Sequence, residues 1–445
     1  MATTMMRGAG ALLGLTHAVR FISRPAARHL VARGLATSCG LALERGDAAL
    51  EITGSPLPHP LKLSYDWLRD SCQCPECVHP STQQKLFRTG DFIRPIPEGA
   101  TIADGALHVQ WTQDHRSVFP LHFLRRYADP TGQARDRSHF EHVIARRTWD
   151  LSMLPATRFA NYTDLKVDPL PAYLHLLRYG IMIVRGVPHG YTQRGPSGPA
   201  GVLEMADMVG SVRETFYGRF WDVMSVRGST NIAYTDLNLD LHMDLLYMQH
   251  PPHLQLLHCI KNRVEGGTSV FVDAIKAAHD LWAQDRVSFD LLASTPIPFH
   301  YENDGHHLHR SHPTIQLAPQ HLQPANLSGP PEIAHINYSP PFQAPLPANV
   351  PTGVYTALRK YADLLARPQG RFEYTLTEGD CAVFDNRRVL HARTAFWDKG
   401  ARDEGKAQET NRWLKGCYVE VDDLLDRTRV LLAQRGGAGL SLESI

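Results

Sequence analysis

The stretch Ala233–Ile260, AYTDLNLDLHMDLLYMQHPPHLQLLHCI, decides how the chain is read. His242 and Asp244 stand two apart, and on an extended segment that spacing puts an imidazole and a carboxylate on one face, able to close on one cation. A second apolar run, Leu254 to Ile260, follows, and then Gly266-Gly267-Thr268-Ser269. Far downstream, DNRRVLHART (385–394) offers His391. Two histidines and one carboxylate that leave other coordination positions open are the ligand set that non-haem Fe(II) favours. With 24 histidines in the chain, an H-x-D pair also arises by chance, and single histidines such as His258 or His300 read as structural. The surroundings of the pair therefore carry the weight.

Composition bounds the class. A chain of 445 residues, 43% hydrophobic, holds one large core and a smaller module. A net charge of +1 gives no basic footprint for nucleic acid. No apolar run reaches the roughly 18 residues of a membrane span. Seven cysteines in this length do not make a disulfide framework. From Met1 to Leu43 there is no Asp, Glu or Lys, while Arg7, Arg20, Arg24, Arg28 and Arg33 recur among Ala, Leu, Ser and Thr. Residues 1–43 thus read as a mitochondrial transit peptide, which predicts a matrix location, with a cytoplasmic location as the alternative.

Residues 48–127 read as a small β-rich module centred on WLRDSCQCPEC (67–77). Cys72, Cys74 and Cys77 supply three soft ligands, and zinc prefers four tetrahedral N/S donors. His115 is the candidate fourth, because His79 lies too close to Cys77 for an unstrained site. Three Cys and a His close the shell, so this zinc is expected to be structural.

Residues 150–435 form the larger domain. Asp129 to Arg147 is a linker, Asp168 to Arg178 a helix leading into the strand Ile181 to Arg185, and Pro188 to Pro199 a loop. Tyr217, Trp221 and Tyr234 precede the metal pair in a segment whose glycines suit a pocket-lining loop. Asp290 to Pro324 reads as a His- and Pro-rich insertion. Its core, His300–His312, is expected to be a solvated loop, with a second metal site as the alternative. Val354, Leu358, Tyr361 and Leu365 share one face of a helix over 352–365. Strands are expected at 379–384, 389–394 and 413–421. Many short strands with ligands on non-adjacent ones predict a mainly β fold, a double-stranded β-helix or jelly roll with flanking helices.

From about Ala48 onward the chain resembles the γ-butyrobetaine dioxygenase and trimethyllysine dioxygenase family, Fe(II)- and 2-oxoglutarate-dependent hydroxylases of carnitine synthesis within the taurine dioxygenase-like superfamily. The resemblance implies zinc on Cys72, Cys74, Cys77 and His115, and iron on His242, Asp244 and His391. It implies 2-oxoglutarate and O2 as co-substrates, with ascorbate as an accessory, and a homodimer. The family's 2-oxoglutarate-anchoring arginine falls on Arg412, in NRWLKGCY, after an apparent insertion at 397–410; Arg393 is the competing position. The Ser of the G-G-x-S element is Ser269. A planar, permanently charged guanidinium is what a distal carboxylate requires. The family's trimethylammonium cage falls on Tyr217, Trp221, Tyr234 and Tyr418; a quaternary ammonium has no N–H to donate, so aromatic faces must read it. Asn231, where relatives acting on trimethyllysine tend to carry an acid, favours γ-butyrobetaine, and Asn337 could donate to the same carboxylate. The leader and the acids Asp236 and Asp240 favour trimethyllysine.

Overall fold

The computed structural model describes residues 40–435 apart from 56, 58, 93, 113, 129–144, 225–234, 320–328 and 399–410. Asn231, Tyr234, most of the leader, most of the Asp129 to Arg147 linker and most of the 397–410 insertion therefore lie outside the described residues. The chain divides into two compact units, Met1–Arg137 and Ser138–Ile445. No helix among the described residues is long and apolar enough to cross a membrane.

The first unit holds two three-stranded antiparallel sheets, Leu41–Arg45 with Ala49–Gly54 and Leu61–Ser64, and Pro97–Ala103 with Ala106–Trp111 and Arg116–Pro120. Alternation of apolar and polar residues puts Leu50 and Ile52, then Leu107, Val109 and Trp111, into one shared core. A short helix, Tyr65–Asp70, is capped by Ser64, whose side chain accepts from the Trp67 amide, and it delivers the chain to the cysteine run.

The second unit is a sandwich of two sheets. In the larger, Trp221–Met224 pairs with Arg412–Val419, which pairs in turn with Leu254–Asn262, Cys381–Asp385, Ile181–Arg185 and Phe159–Asn161. In the smaller the order is Leu239–His242, Val389–Arg393, Ser269–Asp273 and Arg371–Tyr374. Sequence-distant strands alternate as neighbours, as a jelly roll requires. The facing sides of the two sheets share a core of Ile181, Ile183, Phe271, Phe384, Val389 and Leu414. The large sheet's outer side packs Val184, Leu256, Val383 and Cys417 against the helices Leu170–Tyr179 and Gly201–Val209. Beyond the small sheet, Val272 and Leu390 meet Ala274–Gln284, Arg286–Ser294 and Gly353–Leu365. Strand Arg412–Val419 is covered on both faces, and all eight of its residues are buried. That is why it reads as a continuous run with no alternation.

One buried ion pair fastens the sheets to their flanks. Arg388 Nη2 meets Asp273 Oδ2 at 2.7 Å. Arg388 also donates to the carbonyls of Arg178 (2.7 Å) and Arg147 (2.6 Å). Asp273 caps helix Ala274–Gln284 and accepts from the Trp149 amide at 3.0 Å. Nε, Nη1 and Nη2 of Arg388 and both Asp273 oxygens are hydrogen-bonded, which is what lets such a pair sit in a dry core.

Two expectations are corrected. The segment His300–His312 is not a loop: Pro296–Asn303 and His306–Pro313 form an antiparallel ribbon, preceded by the helix Arg286–Ser294. Its turn residues, Asp304 and Gly305, both take positive φ (50° and 76°). That is the Asp-Gly hairpin signal, masked in sequence by the many histidines. Likewise Trp221 does not sit in a pocket-lining loop but opens a strand, Trp221–Met224, paired to Arg412–Val419.

Candidate active site and candidate metal centres

The facing sheets leave a pocket at one end. Trp221, Val223, Gln255, Leu257, Arg412 and Leu414 line it from the large sheet. Leu239, His242, Ser269, Phe271, His391 and Arg393 line it from the small sheet, and Asp244 completes it.

His242 and His391 come together because their strands are neighbours in direct register, His242 opposite His391. Their rings lie 4.1 Å apart, centroid to centroid. Asp244 follows just past the strand end. The ligand atoms of His242, Asp244 and His391 all lie within 4.8 Å of one another. His242 Nδ1 lies 2.8 Å from the Asp240 carbonyl oxygen. A carbonyl only accepts, so Nδ1 carries a proton, which leaves Nε2, 3.4 Å from Asp244 Oδ1, as the nitrogen that could ligate a metal. His391 Nδ1 is buried with no hydrogen-bond partner among the described residues. Burial, and then the neighbouring His242, push the His391 imidazole down to about 3, so it stands neutral as a ligand must. Burial works against ionised Asp244, but its contacts with His242, His391 and Tyr418 outweigh this and hold the carboxyl below the usual range. Two imidazoles and one carboxylate, converging on one point with open space on the pocket side, fit a non-haem iron.

The carboxylate is itself gripped. Asp244 Oδ2 accepts from Gln255 Nε2 at 2.8 Å and from the Tyr418 hydroxyl at 2.8 Å. Asn386 closes on the backbone: its Oδ1 accepts from the Asp244 amide at 2.8 Å and its Nδ2 donates to the Asp244 carbonyl at 3.1 Å. The next residue, Leu245, is buried and held at φ 62°. A bulky residue in the left-handed region is uncommon and marks strain held by its surroundings. Gln255, Asn386 and Leu245 were not singled out from sequence; only the D-N dipeptide at 385–386 gave any signal.

Arg412, from the large sheet, and Ser269, from the small one, also line the pocket. The Arg412 guanidinium is 4% exposed and lies over the Phe396 ring, 5.3 Å from its centroid. Its Nε has no partner among the described residues, and its Nη2 reaches the Gly267 carbonyl at 3.4 Å. Burial, and then repulsion from Arg393, lower it to about 10. Gly267 makes room: a Cβ there would lie 2.9 Å from Arg412 Nε, and the residue sits at φ 67°. Arg393 also lines the pocket, but its Nη2 donates to the carbonyls of Thr235 (2.8 Å) and Leu237 (2.6 Å).

Three of the four aromatic residues expected in the cage are described, and they run in contact. Tyr217 to Trp221 is 5.8 Å between ring centroids, and Trp221 to Tyr418 is 4.5 Å. Trp221 alone of the three lines the pocket. Gly416, on the strand beside it, lets the indole sink: a Cβ there would lie 2.6 Å from the Trp221 ring. Next door in sequence, Asp222 accepts from Lys415 Nζ (2.8 Å), Trp413 Nε1 (2.7 Å) and the Gly195 amide (2.6 Å), which pins the strand. Asn337 is a correction. Expected to donate to substrate, it is buried outside the pocket lining and donates one Nδ2 proton to the Pro313 carbonyl at 2.8 Å.

In the first unit Cys72, Cys74, Cys77 and His115 form a second convergent group. His115 Nε2 lies 3.3, 3.8 and 3.6 Å from the three sulfurs in order. Tetrahedral zinc with ordinary Zn–S and Zn–N bonds separates S from N by about 3.6 Å. His115 Nδ1 faces Glu76 at 3.3 Å, which fixes the tautomer. Burial pushes the Cys72 thiol up to about 12, so a cation is needed to hold the thiolate the site would use.

A model of the Taurine catabolism dioxygenase TauD, TfdA family matches residues 159–418. A second, Gamma-butyrobetaine hydroxylase-like, N-terminal, matches residues 42–125. Dioxygenase str8 of Strobilurus tenacellus is 42% identical over 84% of this chain and 86% of its own length. Gamma-butyrobetaine dioxygenase of Pseudomonas sp. (strain AK-1) is 33% identical over 82% of this chain and 89% of its own. The mitochondrial trimethyllysine dioxygenase of Bos taurus is 28% identical over 83% of each.

Proposed function

The chain belongs to the TauD/TfdA dioxygenase family and is an Fe(II)- and 2-oxoglutarate-dependent dioxygenase, and from that premise we propose that it hydroxylates γ-butyrobetaine to L-carnitine, releasing succinate and CO2. The observation that carries this reading is the Trp221 ring, which lines the pocket and is backed in ring-to-ring contact by Tyr217 and Tyr418, the latter joined to Asp244 through its hydroxyl. A cation that cannot donate a hydrogen bond is bound by such faces at roughly 0.5–2 kcal/mol each. The neutral amide of Asn231 adds to it, because an acid there would repel the substrate carboxylate.

In this reading His242, Asp244 and His391 hold Fe(II), which with 2-oxoglutarate and O2 supplies the oxidising power to hydroxylate an unactivated carbon. The chain's own work is positioning. Gln255 and Tyr418 keep Asp244 Oδ2 occupied, so Oδ1 is the oxygen that would hold Fe(II). Arg412, whose Nε has no partner among the described residues, is the carboxylate fork for 2-oxoglutarate, with Ser269 beside it. Arg393 is the weaker candidate because its Nη2 already serves two carbonyls. Trp221 shapes the end of the pocket where the trimethylammonium group would lie, and apolar Val223, Leu239 and Leu414 keep water from the reacting carbon. Zinc on Cys72, Cys74, Cys77 and His115 closes the first unit's fold. A mitochondrial location rests on the acid-free leader.

Trimethyllysine is the second reading, favoured by Asp236 and Asp240, which could meet an α-ammonium group. Turnover with Fe(II) and 2-oxoglutarate, following hydroxylated product, separates the two. Carnitine formation from γ-butyrobetaine at higher kcat/KM than hydroxylation of trimethyllysine is the expected result; the reverse order overturns the assignment, and no turnover of either removes the cage from the account.

A further inference from the structure

We propose that the outer face of the Pro296–Pro313 ribbon binds a divalent transition-metal ion of the zinc class, at a site separate from the two centres above. The register sets His300 directly opposite His309 and Glu302 directly opposite His307. Side chains alternate along a strand, so these four share one face and Phe299, Tyr301 and Leu308 share the other. The second face is spent on the core: Phe299 and Tyr301 are buried, and Tyr301 packs on Phe216, 5.4 Å between centroids, which in turn stacks on Tyr217 at 4.2 Å. The first face is left to solvent, with side-chain exposures of 43% for His300, 57% for Glu302 and 72% for His307.

On that face Glu302 stands between two imidazoles, although the three donors do not yet converge on one point. Glu302 Oε1 lies 3.1 Å from His307 Nε2 and 3.9 Å from His300 Nδ1. The rings of His307 and His309 are 6.2 Å apart. Tetrahedral zinc with N and O ligands spaces its donors about 3.4 Å apart, between the first two separations. The four side chains stand on the solvent face, so convergence calls for rotation of side chains at the surface. No lysine or arginine of the ribbon stands on this face; Arg310 lies opposite Phe299, on the other. Three imidazoles with one carboxylate select zinc, copper(II) or nickel over magnesium or calcium. The plain alternative is that the contacts are histidine–glutamate ion pairing only.

The test is a zinc titration by equilibrium dialysis and metal analysis on the full chain and on two variants, His300→Gln/His307→Gln and Glu302→Gln. All four donors stand on the solvent face, and turnover with Fe(II) and 2-oxoglutarate supplied reports that each variant is folded. The wild type is expected to take up one zinc equivalent per chain more than the double variant. Glu302→Gln is expected to keep that equivalent with affinity weakened about tenfold. Equal stoichiometry in wild type and double variant overturns the proposal, and so does an unaltered affinity in Glu302→Gln, since ion pairing alone then accounts for the contacts.

Discussion

Tyr418→Phe separates two jobs that one side chain holds. The hydroxyl donates to Asp244 Oδ2 at 2.8 Å, while the ring stacks on Trp221 at 4.5 Å. Phenylalanine keeps the ring and its volume and removes only the donor. A hydrogen bond to a charged acceptor contributes about 1.5–3 kcal/mol. Here Asp244 Oδ2 keeps its second donor, Gln255 Nε2 at 2.8 Å, so the loss belongs at the lower end. That corresponds to roughly a tenfold fall in Fe(II) affinity, the low end of what removal of a ligand's outer partner costs. Anaerobic Fe(II) titration without substrate measures it directly. KM for a trimethylammonium substrate, taken at saturating iron, should hardly move, because the aromatic face is intact. Gln255→Leu should repeat the iron effect without touching any ring, and the two together should cost more than either alone. Unchanged Fe(II) affinity in Tyr418→Phe, or a rise in KM as large as that of Trp221→Ala, would refute the reasoning.

Gly416→Ala drives a methyl group into the Trp221 indole, which would otherwise lie 2.6 Å from it, and should raise KM for the trimethylammonium substrate about tenfold or more while leaving KM for 2-oxoglutarate alone; Trp221→Phe in the same background should relieve part of the effect. Arg412→Lys keeps the charge and loses the planar fork, so KM for 2-oxoglutarate should rise roughly ten- to hundredfold with little change for the other substrate; Arg393→Lys showing the larger effect would reassign the anchor. Stability should fall on acidification between pH 6.5 and 4. Burial lowers His175 and His258 to about 4, so in this window the unfolded chain takes up protons that the folded chain refuses, and each histidine removes about 1.4 kcal/mol per pH unit. Urea midpoints at pH 7 and pH 5 check the sign, and His175→Gln should flatten the slope.

The ligand types were readable without coordinates because they are local. An H-x-D pair on an extended segment, three cysteines within six residues and the NRWLKGCY run each carry their chemistry in adjacent positions. The helix Gly353–Leu365 was equally plain, since its apolar spacing follows the helical period. The ribbon at 296–313 was misread because histidine is neither clearly apolar nor clearly polar, so the alternation of Phe299, Tyr301 and Leu308 against His300, Glu302 and His309 gave a weak signal.

By itself the amino-acid order determined which groups are available: two imidazoles and an acid for iron, three thiols and an imidazole for a closed site, and a guanidinium in an apolar strand. Only the tertiary structure decided what faces what. Tyr418 is as much a grip on Asp244 as a wall of the cage, Asn337 serves a backbone carbonyl, and the two glycines Gly267 and Gly416 matter through the side chains they admit. Apart from Asn337, whose partner carbonyl is 24 residues away, those outcomes depend on segments 100 or more residues apart meeting in one register, as Asn386 meets Asp244 across 142 positions. Such pairings are fixed by burial of both sheet faces at once, a property of the packed sandwich that no short stretch of chain contains.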